Sequence, residues 1–133
     1  MIRKLSLWGP VILYMGLIFY LSSKSDISIP SELSDKSWHS IGYTGFAIVI
    51  VRALSGGLPA RITTTTAMLA VAIATLYGIT DEFHQSFVPN RTSDVHDLMA
   101  DAVGAAIGTF ACWLWGILFA APRASEGTSR HGL

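Results

Sequence analysis

Long apolar segments alternate along the chain with short polar connections. Four segments are apolar over most of their length: 5–23, 38–53, 62–80 and 98–121. Each is close to the ~20 residues that a helix needs to cross ~30 Å of hydrocarbon. Because a helix satisfies its own backbone hydrogen bonds without water, the pattern predicts transmembrane helices. The predicted fold is an all-α, integral membrane four-helix bundle.

The composition agrees with a membrane location. Hydrophobic residues make up 51% of the 133 residues and charged residues 14%, against roughly 25% charged in soluble domains. We expect one domain, a transmembrane bundle over 1–121, followed by a disordered cytoplasmic tail over 122–133. A net charge of zero does not indicate a nucleic-acid partner. The single cysteine, Cys112, excludes an intrachain disulfide and a multi-cysteine metal site.

The basic residues predict the orientation of the bundle. In a four-span protein the N-terminus, the loop between helices two and three, and the C-terminus share one side. Six of the nine Lys and Arg residues lie on that side, which predicts that both termini are cytoplasmic. No small-residue cleavage site follows the first segment, so an uncleaved helix is favoured over a signal peptide. The six are Arg3, Lys4, Arg52, Arg61, Arg123 and Arg130; Lys24, Lys36 and Arg91 lie on the other side.

Acidic residues and histidines concentrate in the stretch 77–97, which we interpret as the outward loop between helices three and four. Polar residues spaced four apart also recur at the outer ends of helices two, three and four. Such residues share a helix face, and charges at membrane depth are costly unless they face one another or a cavity. The sequence therefore predicts one polar pocket that opens outward. The three series are Asp35–His39–Tyr43, Tyr77–Asp81–Gln85 and Asp97–Asp101.

Ordinary structural roles remain open for several of these residues. Asp35 and Asp94 follow Ser34 and Ser93, which are natural N-caps, so first-turn acids that complement the helix dipole would be sufficient. Further examples are interface aromatics (Tyr43, Tyr77), solvated histidines (His84, His96) and glycines that allow close helix packing (Gly104, Gly108).

Three motifs, DKSWHSIGY, YGITDEFHQSFVPNR and DLMADAVGAAIG, resemble those of the VanZ-like family of small bacterial membrane proteins. Asn90 stands where the family usually has glycine, which keeps a positive-φ turn possible. Asp101 stands where it usually has asparagine, which adds a negative charge. The matching positions are Asp35, Lys36, His39, Tyr43, Tyr77, Gly78, Asp81, Glu82, Gln85, Phe87, Val88, Pro89, Arg91, Asp97 and Gly104.

The resemblance implies a multi-pass protein of the bacterial cytoplasmic (inner) membrane. The founding member of the family is associated with low-level resistance to teicoplanin, a glycopeptide that acts outside the membrane on peptidoglycan precursors. The family has no settled biochemical mechanism, so the resemblance implies a role in cell-envelope physiology or glycopeptide resistance without assigning a reaction.

The first hypothesis is a binding protein. Its outward pocket would hold an anionic envelope ligand, such as a lipid headgroup or a lipid-linked cell-wall precursor, or would alter glycopeptide access to that precursor. Arginine suits the phosphate of such a ligand. The candidate ligand-binding residues are Asp35, Lys36, Tyr43, Tyr77, Glu82, Gln85, Arg91 and Asp101.

The alternative is a membrane-embedded enzyme that acts on an envelope lipid. Asp81 and Asp97 would form a pair with one carboxyl protonated and one ionised, and His39 would carry protons between them. The sequence assigns no cofactor and no definite metal ligands. An ion conductor is disfavoured, because the lower halves of helices one, three and four lack polar residues to continue a path, and purely structural ion pairs remain open. A metal-assisted variant would hold Mg²⁺ or Ca²⁺ with Asp81, Glu82, Asp97, Asp101 and a histidine.

Overall fold

A computed structural model describes residues 1–25 and 34–122. Within these residues it contains four α-helices and no strand, which confirms the all-α prediction. The predicted tail beyond Pro122, with Arg123 and Arg130, lies outside the described residues. The helices are α1 (Ile2–Ser22), α2 (Asp35–Leu54), α3 (Thr64–Gln85) and α4 (Val95–Phe119).

Three of the four helices, α1, α3 and α4, are long and apolar enough to cross a membrane. The remaining helix, α2, is less apolar and has charged residues near both ends, but it lies at the centre of the bundle. Its side chains Phe46, Ile50 and Val51 are completely buried. Because α2 packs against the other helices and not mainly against lipid, it tolerates more polar residues than its neighbours.

The helices run antiparallel to their neighbours in the chain. At one end of the bundle, Arg52 at the end of α2 donates a hydrogen bond to the carbonyl of Ser6 in α1 (2.9 Å). At the same end, Gly116 of α4 packs against the backbone of Ala60, just before α3. The start of α1 and the end of α4 therefore lie at one end of the bundle. That this end is cytoplasmic stays a prediction.

Side-chain caps define where the helices begin. Ser34 caps α2 and Thr63 caps α3, each accepting a hydrogen bond from a first-turn backbone N–H. The prediction that Ser93 caps α4 is wrong, because Asp94 is the cap. Asp94 has an extended backbone, and its carboxylate accepts from the backbone N–H of His96 (2.8 Å).

The stretch 77–97 is less of a loop than expected. Helix α3 continues to Gln85 and α4 starts at Val95, so only residues 86–94 connect them. The apolar pattern ends at residue 80, but Asp81, Glu82 and Gln85 are buried in the last turns of α3. The helix continues because these polar side chains face the interior of the bundle, where they have polar partners.

Two glycines let α4 approach α2 closely. A Cβ atom on Gly104 would collide with the carbonyl oxygen of Ser40, and one on Gly108 with that of Thr44. The Thr44 hydroxyl also donates to the carbonyl of Gly104 (3.0 Å). These contacts confirm the close-packing interpretation of the two glycines, in the manner of small-residue interfaces between membrane helices.

Replacing Gly104 by alanine should lower the free energy of unfolding by about 1–3 kcal/mol, the usual cost of overpacking. The obstacle is the backbone of Ser40, which cannot rotate away as a side chain would. Reversible unfolding in detergent measures the change. Gly16→Ala is the matched control, since nothing lies within 4 Å of its added Cβ. Equal stability of the two variants would contradict the packing interpretation.

Candidate functional site

The polar ends of α2, α3 and α4 meet around a histidine–aspartate contact. Nδ1 of His39 lies 2.9 Å from Oδ1 of Asp101, which joins α2 to α4. Asp101 is completely buried, and its other oxygen lies against Gly78 of α3. A side chain at position 78 would occupy the space of this carboxylate. The three polar faces that helical spacing identified separately are thus in contact in the fold.

Asp81 is held by partners from α1 and α3. One of its oxygens accepts from the hydroxyl of Ser22, and the other accepts from the amide of Gln85 (2.9 Å). The oxygen of the Gln85 amide faces Nη1 of Arg91 at 3.5 Å. Arg91 also donates through Nε to the carbonyl of Lys24 (3.1 Å). These bonds connect α1, α3 and the 86–94 loop, and they fix the position of the arginine.

A second group of charges lies where α4 begins. Glu82 accepts from the backbone N–H of Asp94 (2.9 Å), so the end of α3 holds the cap of α4. Nζ of Lys36 lies 3.3 Å from Asp94 and 3.5 Å from Asp97. The lysine is 51% exposed, so each ion pair contributes little on its own. The main effect of Lys36 is to place positive charge beside the carboxylate of Asp97.

A cavity of about 540 Å³ lies between α1, α2 and α3, next to these groups. It combines an apolar wall with a polar end, a combination typical of sites for small organic ligands. The polar end includes Ser22, Asp35, His39, Tyr43, Asp81, Gln85 and Arg91, and the apolar wall includes Ile18, Leu21, Trp38 and Ile41.

The other candidate residues have different surroundings. The hydroxyl of Tyr77 donates to the carbonyl of Met15 (2.7 Å), so this side chain ties α3 to α1. Lys36 and Asp97 pair with each other, while Glu82 and Asp101 are buried in the bundle and do not line the cavity. Asp81 and Asp97, the expected acid–base pair, bond to separate partners.

One residue of this region, Ser22, was missing from the sequence interpretation. It lies in the last turn of α1, is buried, and donates to Asp81. Its position in the sequence could have indicated this role, because Ser22 ends an apolar helix at the same depth as the acidic residues. His84 was also expected to be solvated, but it is half-buried, stacks on Phe19 and lies 3.0 Å from the hydroxyl of Ser23.

Comparison with protein families decides the relationship that the motifs suggested. The VanZ/LLP1 family model matches residues 2–118, nearly the whole described chain. The chain belongs to the VanZ/LLP1 family. No curated protein and no solved structure gives a significant match.

The two departures of this VanZ/LLP1 protein from the motif pattern now have positions in the fold. Asn90 has φ = 62°, so the left-handed turn that glycine would favour is kept. Asp101 is the buried partner of His39. The negative charge that replaces the usual asparagine therefore lies at the junction of three helices.

Hydrogen bonds from the backbone N–H and the imidazole of His96, together with Lys36, lower the pKa of Asp94 to about 2. Ionised Asp94 therefore stabilises the fold above pH ~4, and this contribution is lost as the pH falls towards ~2. Asparagine can still cap the helix but carries no charge. Asp94→Asn should lower the thermal midpoint at pH 6, and the difference from wild type should become small as the pH falls through about 2.

Thermal unfolding in detergent across this pH range measures the difference. Asp35→Asn is the control, because Asp35 is an exposed first-turn acid without a hydrogen bond to the described part of the chain. A difference for Asp94→Asn that stayed constant from pH 6 to pH 2 would exclude the proposed role of its charge.

Proposed function

We propose that this VanZ/LLP1 protein binds an amphipathic cell-envelope ligand with an anionic headgroup, on the outer side of the bacterial cytoplasmic membrane. The observation that carries the proposal is the cavity itself. An apolar wall and a fixed arginine share one space of about 540 Å³. An ordinary structural ion pair would not require the apolar wall, and an ordinary lipid-facing surface would not require the arginine.

The apolar wall suits a hydrocarbon chain. Leu21, Trp38 and Ile41 line the cavity and are each more than 40% exposed in the isolated chain. They come from α1 and α2, which therefore form the two sides of a groove. A polyprenyl or acyl chain in this groove would cover apolar surface that already lies at membrane depth.

The polar end suits a phosphate or other anion. Arg91 donates through Nε and Nη1 within the described part of the chain, and its Nη2 makes no hydrogen bond there. A guanidinium held in this way is ready to bind phosphate oxygens in a directional, charge-assisted manner. Within the described residues Asp81 makes no ion pair with this arginine, and its oxygens accept from Ser22 and Gln85 instead.

The distribution of charge supports the outward orientation. Arg91 lies at the end of the bundle opposite to Arg3, Arg52 and Arg61. If the positive-inside rule holds for this chain, the cavity faces the envelope, where lipid-linked cell-wall precursors and glycopeptides meet. Retention or masking of such a precursor would explain a contribution to teicoplanin resistance. The separate partners of Asp81 and Asp97 favour binding over acid–base catalysis by that pair.

Purified protein in nanodiscs tests the proposal with three probes: undecaprenyl phosphate, phosphatidylglycerol and phosphatidylcholine. Native mass spectrometry should show preferential binding of an anionic probe. Arg91→Gln should weaken this binding about tenfold or more, because a charge-assisted hydrogen bond is worth about 1.5–3 kcal/mol. Arg91→Lys should keep part of it.

Arg61→Gln is the matched control, since Arg61 is an exposed arginine at the other end of the bundle. Wild-type protein that bound phosphatidylcholine as well as either anionic probe would refute the proposal, as would equal losses in the Arg91 and Arg61 variants. Preference for undecaprenyl phosphate over phosphatidylglycerol would identify the precursor class as the ligand.

A further inference from the structure

Three buried carboxylates surround His39 just below the cavity. Glu82, Asp97 and Asp101 are 6%, 5% and 0% exposed. Within the described residues, the only Lys or Arg side chain paired with any of these three carboxylates is the half-exposed Lys36. Of the three, it pairs only with Asp97. Burying several negative charges beside one histidine is costly unless positive charge compensates them. His39 can balance the charge of Asp101, so Glu82 is left without a cationic partner among the described residues, and a cation bound between these side chains would supply one.

The geometry of three of these side chains suits a metal ion. One ligand atom from each of His39, Glu82 and Asp101 lies within 4.8 Å of the others. The 2.9 Å between Nδ1 of His39 and Oδ1 of Asp101 is close to the separation of ~3 Å between adjacent ligands on a metal with bonds of ~2.1 Å. Three different helices, α2, α3 and α4, each supply one ligand.

A second, independent observation is the set of buried polar atoms without partners. Oε1 of Glu82 and Oδ2 of Asp101 make no hydrogen bond, although both side chains are more than nine-tenths buried. The buried hydroxyl of Tyr43 also makes none. Buried polar atoms in folded proteins nearly always have a partner, so these three atoms call for one, which a bound ion or a water molecule would supply.

We propose that His39, Glu82 and Asp101 bind a divalent cation. One imidazole nitrogen and two carboxylates suit Zn²⁺ or Mn²⁺ better than Ca²⁺, which prefers oxygen ligands alone. Three protein ligands leave at least one coordination position for water or for a ligand oxygen. His39 also lines the cavity, so this open position would lie near its polar end.

The site differs from the oxygen-rich one that the sequence suggested. Asp81 is not part of it, because no ligand atom of Asp81 belongs to the group of atoms that lie within 4.8 Å of one another. A second possible group, Asp35 with His39 and Asp97, is less favourable. Asp35 is exposed, and Lys36 places a competing positive charge 3.5 Å from Asp97.

Metal binding can be measured directly on the full-length protein in detergent. After treatment with EDTA and dialysis, titration calorimetry with Mn²⁺ and with Zn²⁺, followed by elemental analysis, should show one ion per chain. His39→Gln and Glu82→Gln should each weaken binding at least about tenfold, since even indirect disturbance of a metal site has an effect of this size. His96→Gln is the control, because His96 is exposed and pairs with Asp94 outside the cluster.

Because Asp101 is fully buried, variants at this position could fail to fold. A spectroscopic test on the wild-type chain does not depend on them. Pulsed electron paramagnetic resonance of bound Mn²⁺ should show coupling to one imidazole nitrogen, and His39→Gln should abolish it. Absence of a stoichiometric ion, or binding unchanged by His39→Gln, would overturn the proposal and leave His39 and Asp101 as a hydrogen-bonded pair. The assay contains no lipid ligand, so its failure is distinguishable from failure of the proposed lipid binding.

Discussion

The contact between His39 and Asp101 is the interaction on which the polar half of the bundle depends. Removing a carboxylate from water costs several kcal/mol unless it gains a partner of opposite charge or strong hydrogen bonds. Asp101 meets this requirement across the tightest helix pair, where Gly104 lets α4 approach the backbone of Ser40. Close packing and charge burial therefore support each other. Without the small residues the carboxylate could not reach the histidine, and without the histidine its burial would be unfavourable.

The need to give each buried carboxylate a partner also determines the arrangement of the polar groups around His39 and Asp101. Asp81 is as buried as Glu82, and its hydrogen bonds are completed by Ser22 and Gln85. Arg91 is then held at the rim by the 86–94 loop and the end of α1. The result is a gradient from buried acids to a basic rim beside an apolar wall. Such a gradient suits a ligand that carries its own anionic group and hydrocarbon chain.

The fold could be predicted from the sequence because a membrane restricts both the length and the polarity of a helix. Local chemistry was harder to predict. The apolar segment stops at residue 80, before the end of α3 at Gln85, because hydropathy cannot distinguish a polar residue that faces the interior from one in a loop; the four-residue spacing was what placed Asp81 and Gln85 on the helix. The cap of α4 was placed at Ser93 and not at Asp94 because both are good caps. The pairing of His39 with Asp101 could not be derived, since helical spacing gives the faces of one helix but not its rotation against the next.

A double-mutant cycle between His39 and Asp101 tests this organisation most directly. The free energy of unfolding in detergent would be measured for the wild type, His39→Gln, Asp101→Asn and the double variant. If the two side chains hold α2 on α4, their coupling energy should reach about 1 kcal/mol or more, the upper part of the range measured for polar contacts inside membrane proteins. If the two single-variant changes in unfolding free energy sum to that of the double variant within about 0.3–0.5 kcal/mol, the two residues act independently, and this result would contradict the arrangement of the site.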